Sequence, residues 1–198
     1  MQRFIEIDSV IKSYHRQQIL NDIYLKCEIG DIIGILGRNG TGKSTLLKIL
    51  FGVLSAERKF IRINGKVLTR PYKLSNEICY LPQDNFIPHH FSIKKVVKLY
   101  LPKNKIEPFL DDSLLGSLAN NKTGNLSGGE WRYLEIKLLL NTDCKFLLLD
   151  EPFNGASPLM IDTIKELIAE KAKTKGIILT DHDYRNVLDI TTKNYLIH

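Results

Sequence analysis

The chain of 198 residues has few cysteines and no long apolar run. Its three cysteines, Cys27, Cys79 and Cys144, show no C-x-x-C spacing, so neither a disulfide framework nor a zinc site is expected. Apolar runs such as residues 146–149 end in charge after a few residues, whereas a membrane-spanning helix needs about 20. No basic segment followed by an apolar stretch opens the chain, so no secretory leader is expected. These features favour the reducing cytosol.

The charge balance permits anionic partners without naming one. Lys and Arg number 28 against 22 Asp and Glu, a formal net charge of +6. The length suits one core, so residues 1–198 are predicted to form a single domain with an appended subdomain. A nucleotide, a nucleic acid and an anionic lipid all fit the charge, and no specific nucleic-acid partner is expected.

A glycine-rich run lies between an apolar strand and an apolar helix. It reads Gly37-Arg38-Asn39-Gly40-Thr41-Gly42-Lys43-Ser44-Thr45. The spacing from Gly37 to Gly42, Lys43 and Ser44 fits the P-loop pattern, in which successive backbone N–H groups surround nucleotide phosphates. Glycine suits such a turn because the backbone must adopt φ > 0. Every residue of the run is therefore a candidate nucleotide ligand.

The segments on either side of the run agree with that interpretation. Residues 31–36 are typical of a buried strand, and residues 46–51 continue as a helix. The N-terminus of the helix would then face the phosphates, where its free N–H groups favour an anion. Lys43 can reach the β- and γ-phosphates, and the Ser44 hydroxyl can ligate Mg²⁺. The alternative is an ordinary glycine-rich turn.

The apolar pattern along the chain predicts an α/β fold. We expect a P-loop NTPase with a mostly parallel core sheet, a small N-terminal antiparallel sheet around the hairpin signal Asn64-Gly65, and a helical insert at about residues 84–130. Tyr14 falls in a polar stretch between the first two strands. Strands are expected at residues 3–8, 23–29, 31–36, 60–63, 77–81, 146–151, 176–180 and 195–197, and helices at residues 46–51, 93–100, 106–118, 131–140, 160–171 and 184–190.

Two carboxylates, Asp150 and Glu151, end the apolar strand at residues 146–151, and Pro152 prevents its continuation. Ligands of α/β proteins bind at the carboxyl ends of strands. With a P-loop upstream, Asp150 can orient Mg²⁺, and Glu151 can polarise an attacking water, a general-base role that typically contributes about 10²–10⁴-fold. The alternative is a solvated strand end.

A second glycine-containing helix start, Leu126-Ser127-Gly128-Gly129-Glu130, precedes that strand. Its hydroxyl and free N–H groups make it another potential anion site. With these motifs in this order, the sequence resembles the nucleotide-binding ATPases of the ABC superfamily over essentially the whole chain. The runs Glu151-Pro152-Phe153-Asn154-Gly155 and Thr180-Asp181-His182-Asp183 look most like the branched-chain amino acid and lipopolysaccharide export subgroup.

The resemblance implies roles for three further residues. Tyr14 resembles the aromatic residue that stacks on adenine, Gln83 the glutamine that couples the Mg²⁺ site to the insert, and His182 the switch histidine at the γ-phosphate. Each has a plainer alternative: packing on the sheet edge, a loop residue and a structural histidine, respectively. The candidates for catalysis are Glu151, His182, Gln83 and Lys43, and those for the metal are Ser44, Gln83 and Asp150.

The resemblance also implies a head-to-tail dimer. ATP on the P-loop of one protomer would be covered by Ser127, Gly128 and Gly129 of a second protomer, either a copy of this chain or a paralogue. It further implies ATP and Mg²⁺ as cofactors and a separate transmembrane subunit that holds the chain at the cytoplasmic face of a membrane. Ser157 departs from the family, which usually has an acidic residue there, and no regulatory C-terminal tail is expected.

Three functions remain open from the sequence. The first is an ATPase that energises a membrane transporter through ATP-driven dimer closure. The second is a soluble ABC ATPase without a transport role, for example in iron–sulfur cofactor assembly. The third is a nucleotide-gated switch with little turnover, which the presence of Glu151 and His182 opposes.

Overall fold

Two β-sheets organise the chain in the computed structural model, which describes residues 3–15, 17–74 and 76–198. The strands are β1 (Phe4–Tyr14), β2 (Gln17–Glu28), β3 (Ile32–Leu36), β4 (Arg58–Ile63), β5 (Lys66–Val67), β6 (Ile78–Leu81), β7 (Phe146–Asp150), β8 (Gly176–Thr180) and β9 (Lys193–Leu196). The α-helices are α1 (Lys43–Phe51), α2 (Ile93–Tyr100), α3 (Lys103–Leu110), α4 (Gly128–Asn141), α5 (Pro158–Ala172) and α6 (Tyr184–Leu188). The α/β class predicted from the sequence is confirmed.

The core sheet is parallel, with the strand order β6-β7-β8-β3-β9. Strand β7 shows why both faces of this sheet have to be covered by other elements. Phe146 and Leu148 point into one apolar cluster, and Leu147 and Leu149 point into the other. A strand with four successive apolar residues buries side chains on both faces, which is typical of parallel sheets.

The second sheet is antiparallel, with the strand order β2-β1-β4-β5. Asn64 and Gly65 form the turn between β4 and β5 with φ of 50° and 79°. Positive φ at both central residues gives the backbone twist that suits a tight hairpin, as the Asn-Gly pair predicts. Side chains of β1, β2 and β4 pack with α1 and one face of the parallel sheet in a shared core.

Helices α4, α5 and α6 contact strands on the other face of the parallel sheet, and α2 and α3 share their buried cluster. Ser92 caps α2, because its hydroxyl accepts the N–H of Lys95 at 3.3 Å. Apolar side chains of α2 and α3 belong to the same buried cluster as those of α4 and β7. The proposed insert at residues 84–130 therefore shares its core with the rest of the chain, and its boundaries stay a prediction.

Several predicted boundaries are wrong. Strands β1 and β2 run well beyond residues 3–8 and 23–29, because they pair with each other as far as Tyr14 and Gln17, so Tyr14 ends a strand. The helix predicted at residues 106–118 ends at Leu110. The Asp112 carboxylate accepts the N–H groups of Leu114 and Leu115 at 2.9 and 2.8 Å, and such local bonds compete with a helix.

The register of the parallel sheet brings its carboxyl ends together. Thr180 at the end of β8 pairs with Asp150 of β7 and with Ile35 of β3. Leu81 of β6 pairs with Leu149 of β7. The segments that follow these strands therefore meet at one edge of the sheet, where α/β proteins bind ligands.

Candidate active site

The P-loop turns after β3 and leads directly into α1. Gly40 and Gly42 have φ of 83° and 98°, in the left-handed region that favours glycine. The Lys43 ammonium lies folded over the loop and donates to the carbonyls of Gly37 at 2.8 Å and Arg38 at 3.0 Å. The first turn of α1 has no acidic residue, so its N-terminal N–H groups and Lys43 together present positive charge to an anion.

Asp150 lies fully buried at the end of β7 and is held by three hydroxyl groups. Its Oδ1 atom accepts hydrogen bonds from Ser44 at 2.8 Å and Thr180 at 3.0 Å, and its Oδ2 atom accepts one from the Tyr80 phenol at 2.8 Å. Sequence reasoning missed Tyr80 and Thr180. Thr180 had a usable signal, because it directly precedes the Asp181-His182 tip of an apolar strand.

The Glu151 carboxylate lies between two donors from separate segments. Gln83 Nε2 donates to its Oε2 at 2.8 Å, and His182 Nε2 lies 2.8 Å from its Oε1. The other ring nitrogen of His182 lies 2.9 Å from the side-chain oxygen of Asn39 in the P-loop. Burial raises the pKa of Glu151, although the nearby His182 ring opposes the shift. The structure thus brings four predicted residues into one network.

The backbone of Glu151 adopts φ of 52°, although the residue is not glycine. Such a conformation is uncommon for a residue with a side chain and persists only where the surroundings hold it. Arg132 of α4 supplies part of that support, because its guanidinium donates to the backbone carbonyl of Glu151 at 2.9 Å. Sequence reasoning missed Arg132. The signal was faint: it is a charged residue on a helix that is buried from residue 131 to residue 140.

A cleft of about 380 Å³ connects these groups. Tyr14 lies at its mouth, with 43% of its surface exposed, and Ile19 of β2 adds an apolar wall. An exposed aromatic ring beside an apolar side chain can receive the face of a base. The described residues that line the cleft are Tyr14, Ile19, Asn39, Gly40, Gly42, Lys43, Ser44, Thr45, Gln83, Glu151 and His182.

The second glycine-containing segment lies outside the cleft. Ser127 caps α4 through a capping box: its hydroxyl accepts the N–H of Glu130, whose carboxylate accepts the N–H of Ser127 at 2.8 Å. Within the described part of the chain, Ser127, Gly128 and Gly129 do not line the P-loop cleft. A single chain therefore assembles the predicted P-loop and carboxylate groups without these three residues.

The donor set suits a hard cation. The Ser44 hydroxyl and the Asp150 carboxylate lie side by side next to the P-loop, and oxygen ligands of this kind are those that Mg²⁺ prefers. Across residues 3–15, 17–74 and 76–198, no cluster of three or more His, Cys, Asp or Glu side chains could hold a metal. In proteins, Mg²⁺ is usually bound by one or two protein ligands together with substrate phosphates.

The parallel sheet, the P-loop and the paired carboxylates define a nucleotide-binding P-loop ATPase. A family model described as ABC transporter matches residues 20–154, well over half of the chain. The chain belongs to that family, and it is an ATP-binding and ATP-hydrolysing subunit that energises a membrane transporter. No helix in the described ranges is long and apolar enough to span a bilayer.

Individual relatives agree with the family. The lipopolysaccharide export system ATP-binding protein of Acidithiobacillus ferridurans is 30% identical over 100% of this chain and 88% of its own length. An uncharacterized ABC transporter ATP-binding protein of Rhizobium meliloti is 32% identical over 94% of this chain and 74% of its own. The first of these carries the export name to which the sequence resemblance pointed.

Solved structures agree with the fold. The structure of an ATP-binding subunit of an ABC transporter superposes with a TM-score of 0.86 at 25% identity and covers 98% of this chain and 86% of its own. An ATP-binding cassette in its ADP conformation gives a TM-score of 0.80 at 25% identity, covering 100% of this chain and 87% of its own. The predicted family and fold are therefore confirmed.

Proposed function

We propose that the cleft binds Mg·ATP and that Glu151 is the general base for hydrolysis. The observation that carries the proposal is the position of the Glu151 carboxylate, held between Gln83 and His182 in a cleft that also contains Lys43 and Ser44. Glu151 is only 5% exposed, but its carboxylate keeps two polar partners, which is the arrangement expected of a base rather than of a solvated strand end.

ATP would lie along the cleft with its base at the mouth. Tyr14 stacks on the adenine in this arrangement, and the α1 N-terminus and Lys43 bind the phosphates. Lys43 exchanges its present bonds to loop carbonyls for bonds to the β- and γ-phosphates. The P-loop residues proposed to surround the phosphates are Gly37, Arg38, Asn39, Gly40, Thr41, Gly42, Lys43, Ser44 and Thr45.

Ser44, Asp150 and Gln83 would hold Mg²⁺ beside the phosphates. The ion neutralises phosphate charge and polarises the γ-phosphate when it is bound. Ser44 already contacts Asp150, so the two oxygen ligands need little rearrangement. Gln83 uses its amide nitrogen to contact Glu151, which leaves its amide oxygen for a ligand.

Glu151 would take a proton from the water that attacks the γ-phosphate. The oxygen of that water forms the new bond to phosphorus while the bond to the β-phosphate oxygen breaks, and ADP leaves. His182 lies between the P-loop residue Asn39 and Glu151, so it can contact the γ-phosphate and hold the base at once. Gln83 fixes the opposite oxygen of the same carboxylate.

We also propose that Ser127, Gly128 and Gly129 complete this site on a second protomer in a head-to-tail dimer. The segment is the N-terminus of a 14-residue helix and lies outside the cleft of its own chain. Its hydroxyl and N–H groups are suited to a γ-phosphate that another chain presents. The second protomer is a copy of this chain or a paralogue.

The experiment mixes two inactive variants, Lys43→Ala and Gly128→Asp. A side chain at position 128 is tolerated within the chain, because the nearest atom to its Cβ would be the Gly155 carbonyl oxygen at 3.8 Å. Its carboxylate would repel the phosphate of the neighbouring protomer. A mixed dimer retains one site in which both halves are intact, so ATPase activity should return on mixing. If each site were complete within one chain, the mixture would stay inactive.

For localisation we propose the cytoplasmic face of a membrane, bound through a separate transmembrane subunit. The support is the transporter family together with the cytosolic supply of ATP. The named relatives favour this function over the alternative of iron–sulfur cofactor assembly. The name of one relative supports the proposal of a lipopolysaccharide-type cargo. As long as the partner subunit is left in the membranes, the chain should stay bound to them when the other membrane proteins are removed. Full recovery of the chain in the soluble fraction of an intact lysate would contradict the proposal.

A further inference from the structure

A buried ion pair lies inside α4, one turn after the Ser127 cap. Arg132 and Glu135 are 3% and 0% exposed, and Arg132 Nη1 lies 3.4 Å from Glu135 Oε2. Two charges removed from water lose their hydration, and an apolar pair of similar volume is often equally or more stabilising. A gain in stability is therefore a weak explanation for this buried ion pair. The other hydrogen bonds of Arg132 and Glu135 indicate what the pair does.

The Arg132 guanidinium donates to backbone carbonyls of two segments, the end of β7 that carries Glu151 and the segment that carries Gln83. Its Nη2 atom donates to the carbonyls of Asp150 and Glu151, the latter at 2.9 Å. Its Nη1 atom donates at 2.8 Å to the carbonyl of Pro82, which directly precedes Gln83. The planar guanidinium of Arg132 thus joins the end of β7 to the segment that contains Gln83, whose amide donates to the Glu151 side chain.

The Glu135 carboxylate extends the same connection further along that segment. Its Oε1 atom accepts the backbone N–H groups of Phe86 at 2.8 Å and Ile87 at 3.3 Å, and the indole N–H of Trp131 at 3.1 Å. Residues 82 and 86–87 are therefore both bound to α4 by one ion pair. Gln83 lies between these two attachment points.

We infer that Arg132 is a positioning residue for hydrolysis, with Glu135 as its partner. By binding the Glu151 carbonyl, Arg132 holds the backbone of Glu151 at its φ of 52°. By binding the Pro82 carbonyl, it fixes the position from which Gln83 donates to the Glu151 carboxylate. Neither residue touches the reacting atoms. The inference rests on the proposed role of Glu151 as the base, and it adds that α4, the helix begun by Ser127, fixes the direction of that base.

The test is the pair of variants Arg132→Met and Arg132→Lys, studied as purified full-length chain. Methionine keeps an unbranched apolar stem but loses all three carbonyl contacts, whereas the single ammonium of lysine can keep some of them. We expect Arg132→Met to lower kcat by about 10²-fold, the scale of a misplaced catalytic group, with ATP affinity unchanged. Arg132→Lys should recover part of kcat.

Lys137→Met is the matched control. Lys137 lies on the same helix, is also buried, and pairs with Asp112 and with the carbonyl of Phe109, but it does not contact the cleft. Both methionine variants should lower the melting temperature, and only Arg132→Met should lower kcat. Equal kcat in the two methionine variants would overturn the inference and leave the pair a structural one.

Two further measurements separate this inference from the proposed base. If Glu151→Gln slows turnover while Arg132→Met does not, the positioning role of Arg132 is wrong and Glu151 remains the base. If Glu151→Gln turns over at the wild-type rate, the assignment of Glu151 as the base is wrong, whatever Arg132→Met does. Should Arg132→Met not fold, Glu135→Gln takes its place. It keeps the shape of the side chain but removes the charge that orients Arg132, so a normal kcat in Glu135→Gln would also overturn the inference.

Discussion

Replacing Glu151 by Gln is the most informative perturbation, because it separates the base from the geometry that holds it. Glutamine has the same shape, so the cleft keeps its form. One of its two terminal atoms becomes an NH₂ group and cannot accept a hydrogen bond, so one of the bonds now made by Gln83 and His182 at 2.8 Å each is lost. The P-loop contacts of ATP do not involve this side chain.

The magnitudes show which effect dominates. Loss of one such hydrogen bond costs about 0.5–1.5 kcal/mol. Loss of a general base removes about 10²–10⁴-fold in rate, which corresponds to roughly 3–5 kcal/mol of activation free energy at 1.36 kcal/mol per tenfold. The lost base therefore outweighs the lost bond, and kcat should fall by about 10²–10⁴-fold while ATP affinity stays near that of the wild type.

The pH dependence gives a second, independent readout. A general base acts in its deprotonated form, and burial raises the pKa of Glu151 above its ordinary value. The wild-type kcat should therefore fall as the pH is lowered through this raised pKa, so the loss begins at a higher pH than for an ordinary glutamate. The amide of Glu151→Gln does not titrate, and its residual activity should lack this acid limb.

The assay is steady-state phosphate release across pH, with ATP binding measured in parallel. Glu170→Gln is the control, because Glu170 is an exposed residue of α5 whose one ion pair with the residues that the structure describes is with the neighbouring Lys171 at 3.2 Å. It removes the same charge and should leave kcat unchanged. A Glu151→Gln variant with wild-type kcat and an intact acid limb would refute the assignment of the base.

Two further predictions concern the metal and the core. Asp150→Asn should raise the Mg²⁺ concentration needed for nucleotide binding by about tenfold or more, because an amide replaces the carboxylate ligand; a Mg²⁺ titration of nucleotide binding with the same midpoint as the wild type would contradict this. Leu148→Ala should lower the free energy of unfolding by about 2–5 kcal/mol, since Leu148 is fully buried in β7. Urea unfolding measures that loss, and a change no larger than that of a surface substitution would count against it.

The parts of the fold that the sequence predicts are those with one dominant local pattern. Strand β7 is apolar at each of its first four positions, so it had to be buried on both faces. The P-loop needs glycine at Gly40 and Gly42, where φ is positive, so spacing alone located it. The Asn64-Gly65 turn is a third such case. In each, a short segment fixes its own conformation.

The parts that the sequence did not predict depend on partners distant in the chain. The residues from Ser9 to Tyr14 form a strand because β2 pairs with them, and Ile11 also pairs with Arg58 of β4. The expected helix through Leu118 ends early because a single carboxylate, that of Asp112, binds the N–H groups that a helix would have used. Arg132 and Glu135 have only a faint local signature, since the contacts that join them to the site lie 18–19 and 48–50 residues away along the chain.

The network around Glu151 solves two requirements that ordinarily conflict. A base must stay in one orientation, which calls for hydrogen bonds, yet it must keep electron pairs for the proton that it accepts. The Glu151 carboxylate has about four lone-pair sites, and Gln83 and His182 occupy one on each oxygen. Burial meanwhile raises the pKa and so keeps the remaining sites more basic than in an exposed glutamate. Two donors thus set its direction, and burial preserves its basicity.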